Sequence, residues 1–102
     1  MSPELVRLDL NDSGFQEDLF GLSKQDQLSV LGTLRKLSRM TWDQVYRDPG
    51  LKWEAVKSQA GPHQGRLYTF RSGKGFRAVA YREERWLKIL SLHPDHDSAY
   101  GR

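Results

Sequence analysis

The spacing of the apolar residues changes once along this chain, near residue 50, and this change limits the folds that the chain can adopt. Before it, apolar residues recur at helical spacing, most clearly at Leu28, Leu31, Leu34 and Leu37. Beyond it, apolar and polar residues alternate in short runs separated by turn residues. Helical spacing followed by consecutive strand-like runs predicts an α+β fold, in which helices cover one face of an antiparallel sheet.

Capping and turn residues set the boundaries of the predicted elements. The alternating run at 5–10 predicts an N-terminal strand, and Gly32 is expected to let another element approach the main helix. The remaining elements are a helical hairpin, a short third helix and an antiparallel sheet of about four strands, all in one domain over residues 1–102. Their signals are the N-cap pairs Ser13/Gln16, Ser23/Asp26 and Thr41/Gln44, and the strand-like runs 51–57, 66–71, 76–82 and 86–92, with a loop at 58–65.

The composition excludes several classes of function. Apolar residues make up 37% of the chain and charged residues 28%, as in globular domains. The absence of cysteine excludes disulfides, thiolate catalysis and cysteine zinc sites. The histidines are His63, His93 and His96, and few carboxylates accompany them, so neither a metal nor another cofactor is expected. Without an apolar run of about 20 residues or a signal-like N-terminus, the chain is expected to be cytoplasmic and away from membranes.

The charge of this chain is unevenly distributed. Residues 1–65 carry eight Lys/Arg and nine Asp/Glu, whereas residues 66–102 carry eight and four. The last third therefore has an excess of four positive charges. A local excess of this kind indicates an anionic partner, such as RNA or an acidic protein segment.

The hairpin at 66–82 carries the strongest candidate site. Alternation places Phe76, Ala78 and Ala80 towards the helices, so Arg77 is expected to lie on the open face of the sheet. Arg71 lies across the turn from Arg77, and Lys74 lies in the turn. Because a guanidinium stays charged and can bind two phosphate oxygens at once, these cations favour a phosphate-binding site.

The residues after the last predicted strand add groups that can transfer protons. Metal-free RNA cleavage needs a base for the ribose 2′-hydroxyl, an acid for the leaving 5′-oxygen and a cation for the phosphorane. His93 and His96 suit either proton-transfer role, and a phenol such as Tyr100 can act if cations lower its pKa. Arg77 suits the third role. The separate roles of His93 and His96 stay open.

The stretch from Gly65 to Tyr100 resembles the C-terminal half of the RelE/ParE superfamily of toxins from toxin–antitoxin systems. The motifs are Arg71, the run Gly75-Phe76-Arg77-Ala78-Val79-Ala80-Tyr81, the strand Leu87–Leu92, and a tail from His93 to Tyr100. The N-terminal strand and leucine-rich helical hairpin are similar in layout. The resemblance implies a small sheet packed against a helical hairpin.

The resemblance to RelE-type members also implies an activity. These toxins cut mRNA, usually on the ribosome, without a metal, and so inhibit translation. Arg77 then matches the arginine that stabilises the transition state, and Tyr100 the late tyrosine of proton transfer. His96 matches a catalytic basic or imidazole group, and Arg71 a phosphate-binding residue. Lys74, His93 and Arg82 are also expected to bind RNA. The strand before the turn lacks lysines that such toxins can carry, which makes His96 the expected base.

Two other interpretations fit the same sequence. A ParE-like member shares the fold but inhibits DNA gyrase by binding, without nuclease activity, and the tail from Leu92 to Asp97 has some similarity to ParE tails. A third interpretation is a relic that only binds a partner. Tyr100 and the basic hairpin favour the nuclease. The family implies a cognate antitoxin, whose acidic segment would cover the cations in a hetero-oligomer.

Overall fold

The fold is seen in a computed structural model, which describes residues 4–60 and 66–94, with the backbone alone for 57–60. It contains three helices and one five-stranded sheet. The elements in chain order are β1 (Arg7–Asp9), α1 (Ser13–Phe20), α2 (Lys24–Leu37), α3 (Trp42–Arg47), β2 (Glu54–Ala60), β3 (Arg66–Arg71), β4 (Phe76–Glu83) and β5 (Trp86–Pro94).

The sheet confirms the α+β prediction and adds one strand to it. The strand order is β1-β5-β4-β3-β2, and the four C-terminal strands form the predicted antiparallel meander. The N-terminal strand joins the same sheet as a short parallel edge strand beside β5, which makes the sheet mixed. A parallel pair cannot be closed by a tight turn, so the rest of the chain forms the connection. β2 begins later than predicted and extends to Ala60, into the segment predicted as a loop.

The helices cover one face of the sheet and enclose the core. Val30, Leu34 and Leu37 of α2 are buried, as the leucine spacing predicts, but Leu28 and Leu31 are 63% and 45% exposed. The buried apolar residues of the core cluster are Val6, Phe15, Leu19, Val30, Leu34, Leu37, Trp42, Val45, Leu51, Phe70, Ala78, Ala80, Leu87, Ile89 and Leu92. No helix in the described part of the chain is both long and apolar enough to cross a membrane.

Side-chain caps fix the starts of the helices. The Ser23 cap of α2 is confirmed by its bond from the Asp26 amide, and Thr41 and Gln44 form the predicted capping box of α3. For α1 the predicted cap is wrong by one residue, because Asp12 rather than Ser13 accepts bonds from the amides of Gly14 and Phe15.

A β-bulge in β5 changes which residues face the helices. Val79 pairs with Ser91, but the next residue, Ala80, pairs with Ile89, so β5 contains one extra residue there. Because side chains alternate along a strand, the extra residue exchanges the two faces beyond it. Leu87, Ile89 and Leu92 are therefore all buried, while Ser91 and His93 lie on the open face of the sheet.

The turn between β3 and β4 is fixed against α2. Gly73 and Gly75 have φ values of 79° and 92°, as expected for glycines in a tight turn. The Gly73 amide donates to Thr33 Oγ1 at 2.7 Å, and the Lys74 amide to Ser29 Oγ at 2.6 Å. The close approach expected at Gly32 is instead found at Gly73, since no described atom outside its own helix backbone and chain neighbours lies within 4 Å of a Cβ built on Gly32.

Candidate functional site

Two rows of residues cross the open face of the sheet near the end that carries the β3–β4 turn. Cross-strand partners share a face. The register therefore places Arg71, Arg77 and His93 in one row across β3, β4 and β5. Glu54, Thr69, Val79 and Ser91 form the adjacent row. Arg77 lies at the centre of this group.

Arg77 lies flat on the sheet, because its guanidinium is bound on the β2 side. Nη2 donates to Thr69 Oγ1 at 2.7 Å and to the Lys52 carbonyl at 3.1 Å. The side chain is only 16% exposed, although it lies on the open face as predicted. Two fixed acceptors hold the guanidinium in one orientation, which is the preorganisation that a site for a developing negative charge requires.

Among the described residues, Glu54 is the carboxylate paired with this guanidinium. Its Oε1 lies 3.5 Å from Arg77 Nη2, and its side chain remains 66% exposed. Because the Glu54 side chain is open to water, solvent screening weakens its pairing with Arg77, so a ligand phosphate can compete for the guanidinium. Glu54 also offsets part of the repulsion between Arg77 and Arg71, which lie directly opposite each other on neighbouring strands.

His93 lies on the other side of Arg77, on β5. The two residues are direct cross-strand partners, a geometry that brings Cβ atoms to within about 5 Å. The His93 Nε2 atom lies 2.8 Å from Ser91 Oγ, which limits rotation of the imidazole. A carboxylate and an imidazole therefore flank the arginine on its two sides.

The structure does not bring all the predicted RNA-binding residues together. Arg71 is beside Arg77, and Lys74 is exposed at the tip of the docked turn. Arg82 pairs with Leu87 and lies towards the helices, on the face opposite Arg77. Its guanidinium stacks on Trp42 at 4.5 Å and donates to the Tyr46 hydroxyl at 2.7 Å. The Arg82 side chain is thus engaged with α3 and separated from the candidate site.

His96 and Tyr100 lie outside the described residues, as does His63, and their predicted roles stay predictions. Within residues 4–60 and 66–94, no three His, Asp or Glu side chains stand close enough together to hold a metal ion. The groups that the described residues bring together are therefore Glu54, Thr69, Arg71, Arg77 and His93.

The sequence analysis did not identify three residues near Arg77, namely Thr69, Glu54 and Ser91. The alternation of 66–71 places Thr69 on the same face as Arg71, so this partner could have been found. Glu54 could not, since it meets Arg77 through the register of β2 on β3. Ser91 could not either, because the bulge in β5 decides its face.

This set of groups can bind a phosphodiester and transfer protons on both sides of it. Arginines bind phosphate oxygens and stabilise extra negative charge on phosphorus. A carboxylate accepts a proton and an imidazolium donates one, and their placement on opposite sides of Arg77 suits in-line displacement. Arg71 adds a second cation at the same edge.

Comparison with known proteins identifies the fold. No protein-family model matches the sequence, and no curated protein matches it. An archaeal RelE–RelB complex from Pyrococcus horikoshii matches with a TM-score of 0.59 at 20% identity, over 95% of this chain and 99% of that chain. A copper-bound mutant toxin from Helicobacter pylori matches with a TM-score of 0.51 at 22% identity, over 88% and 94%. The chain thus has the RelE-like fold that its sequence resembles.

Proposed function

We propose that this chain, which has the fold of RelE-type toxins, is the toxin of a toxin–antitoxin pair and a metal-independent endoribonuclease. Its substrate is mRNA, cut in association with the ribosome, so that translation is inhibited. The observation that supports this most is the position of Arg77, fixed by Thr69 and flanked by Glu54 and His93 on the open face. The complex of the archaeal relative with RelB supports an antitoxin partner.

The proposed reaction is transesterification within one RNA strand. Glu54 accepts the proton of the ribose 2′-hydroxyl, and the 2′-oxygen forms a bond to phosphorus. The bond to the 5′-oxygen breaks, and the leaving oxygen takes a proton from the His93 imidazolium. Arg77 binds the non-bridging oxygens as their charge increases. The products are a 2′,3′-cyclic phosphate and a free 5′-hydroxyl.

His96, predicted as the base, and Tyr100, predicted to transfer protons, lie outside the described residues and stay candidates for these roles beside Glu54 and His93. Both follow β5 by a few residues, so the chain can bring them towards His93. His96 is the alternative proton-transfer group, and Tyr100 assists by proton transfer. A variant series at His93, His96 and Tyr100, measured on the same RNA, distinguishes their contributions.

The proposal is tested with Arg77→Gln, which keeps the side-chain polarity but removes the charge. We expect wild-type protein to cleave mRNA in a translation extract and to leave cyclic phosphate ends. The Arg77→Gln variant should lose at least about a hundredfold in rate, the typical effect of removing one oxyanion-stabilising group. Primer extension locates the cuts, and circular dichroism checks folding.

The matched control is Arg7→Gln, at the far edge strand of the sheet, where the guanidinium lies 5.3 Å from the Trp86 ring. It should cleave like wild type. An Arg77→Gln variant that cleaves RNA at the wild-type rate contradicts the assignment. Gyrase-dependent DNA breaks with intact translation would contradict the nuclease proposal and support the ParE-like interpretation.

A further inference from the structure

One edge of β5 is covered by a helix rather than by a strand over its second half. β1 pairs with β5 only from Trp86 to Lys88, and no described strand continues this pairing beyond Lys88. Helix α1 lies along the rest of this edge, since a Cβ built on Gly14 would come within 3.3 Å of the Leu90 carbonyl oxygen. The backbone of β5 therefore meets α1 where β5 contains its bulge.

An acidic side chain of α1 accepts a hydrogen bond at this edge. The Leu92 amide donates to Asp18 Oδ2 at 2.9 Å. Leu92 is only 6% exposed, and a backbone amide of a buried residue that lacks an acceptor destabilises the fold. Asp18 thus supplies the acceptor that a neighbouring strand would supply in a wider sheet.

This bond lies next to the extra residue of the β5 bulge. Leu90 is that residue, because the residues on both sides of it pair with consecutive residues of β4. A shift of the pairing by one residue would remove the bulge and exchange the faces of all later side chains. Leu92 would then lie on the open face and His93 towards the helices. The burial of Leu92 and its bond to Asp18 both oppose this shift.

We propose that Asp18 is a positioning residue, whose carboxylate holds the bulged register of β5 and thereby keeps His93 beside Arg77. His93 is the cross-strand partner of Arg77, and its ring is bonded to Ser91, so both contacts depend on this register. Asp18 acts through the Leu92 backbone and takes no part in the chemistry. The consequence for catalysis rests on the proposed function, in which His93 protonates the leaving oxygen, whereas the effect on the register does not.

The register is tested without RNA, by NMR of the full chain. Ala78 and Leu92 are paired with the Leu92 amide directed away from β4, so their Hα atoms should show a strong cross-strand contact. In Asp18→Ala this contact should weaken. Exchange of the Leu92 amide should become at least about tenfold faster relative to the amides of α2, which report global unfolding.

Two further variants separate the hydrogen bond from the charge. Asp18→Asn keeps an acceptor oxygen, so it should restore most of the Leu92 protection and of the cross-strand contact. Glu17→Ala is the matched control, because it removes an exposed carboxylate from the preceding position of α1. It should behave like wild type in both measurements.

The effect on the reaction is measured on the same variants with ribosome-bound mRNA as the substrate. Asp18→Ala should lower kcat about tenfold and change KM by less than about twofold, because the phosphate-binding arginines stay in place and the imidazole does not. Deletion of Leu90 removes the bulge, and His93 then stays on the open face by simple alternation. In that background, Asp18→Ala should leave kcat unchanged.

The proposal is overturned by a Leu92 amide that is unprotected in the wild type, a measurement that needs no variant. An unchanged cross-strand contact in Asp18→Ala would also overturn it, as would equal losses of kcat in Asp18→Ala and Asp18→Asn. A loss that persists after deletion of Leu90 would show that Asp18 does not act through the bulge. If the wild type cleaves no RNA, the proposed function fails, and the NMR measurements alone decide the role of Asp18.

Discussion

Thr69 illustrates how a neutral residue can act on a charged one. Its Oγ1 accepts a bond of 2.7 Å from Arg77 Nη2, so the hydroxyl helps to fix the guanidinium on the open face. Without this bond, the Lys52 carbonyl and Glu54 would be the remaining described partners of the Arg77 guanidinium. Thr69 is thus a positioning residue in the proposed reaction.

Thr69→Val tests this role, since valine keeps the shape and the strand preference of threonine. We expect the cleavage rate to fall about tenfold, which corresponds to about 1.4 kcal/mol for the lost bond. Thr69→Ser should restore most of the rate, and KM should change little in either variant. A Thr69→Val rate equal to that of wild type would show that Arg77 needs no such support.

We expect replacement by alanine to have opposite effects on the free energy of unfolding at Gly73 and at Gly32. A Cβ on Gly73 would meet the Val30 amide nitrogen at 2.8 Å, in a backbone with φ of 79°. Gly73→Ala should therefore lower the free energy of unfolding by about 2 kcal/mol or more. Gly32→Ala should raise it by up to about 1 kcal/mol, because only helix propensity changes there. Urea unfolding of both variants measures the difference, and an equal effect of the two would contradict it.

At the scale of elements, one side chain joins α2, α3 and the loop before β2. Asp48 Oδ2 lies 3.0 Å from Lys36 Nζ, and Oδ1 accepts from the amides of Gly50 at 2.8 Å and Leu51 at 3.0 Å. The bond from Lys36 is the main cause that holds the pKa of Asp48 below its ordinary value, and the two amides add to it. Burial opposes these effects.

The lowered pKa of Asp48 predicts that the stability of the fold depends on pH. A depressed pKa in the folded state stabilises the fold fully above about pH 4, and the contribution is lost as the pH falls through the lowered value. Asp48→Asn removes this contribution, so its destabilisation should be larger at pH 6 than at pH 3. Urea unfolding at the two pH values checks this. A destabilisation independent of pH would assign the effect to the amide bonds alone.

For the whole molecule, the two-layer arrangement separates two basic surfaces. The open face carries Arg71 and Arg77, and the outward side of α2, which carries Arg35, lies on the far side of the helical layer. A ligand on one surface does not cover the other. The excess of positive charge that indicates an anionic partner was counted over residues 66–102. It does not include the cations of α2, which lie on a separate surface.

Salt dependence tests whether the open face binds nucleic acid through phosphates. A 2′-deoxy oligonucleotide lacks the attacking hydroxyl and so binds without being cut. Its affinity should fall linearly on a double logarithmic plot against salt, because phosphate contacts release counterions. Arg71→Gln should reduce the slope by about 0.7, whereas Arg7→Gln should leave it unchanged. A flat salt response would contradict phosphate binding at this face.

Much of this molecule follows from the sequence. The caps at Ser23 and Thr41 and the glycines of the β3–β4 turn depend on neighbours within a few residues, and they are confirmed. The leucine spacing is confirmed for Leu34 and Leu37, whereas Leu28 and Leu31 are exposed. The alternation of 76–80 likewise decides that Arg77 and the two alanines lie on opposite faces. These features are local, so the chain itself contains the information.

The rest was decided by contacts between distant segments. The bulge in β5 exchanges the faces beyond Ile89, so that Leu92 is buried and His93 lies beside Arg77. Simple alternation from Leu87 would place His93 towards the core. The register of β2 brings Glu54 to Arg77, and packing on Trp42 takes Arg82 away from it. Strand register and bulges minimise the energy of the whole sheet, which no short window of sequence specifies.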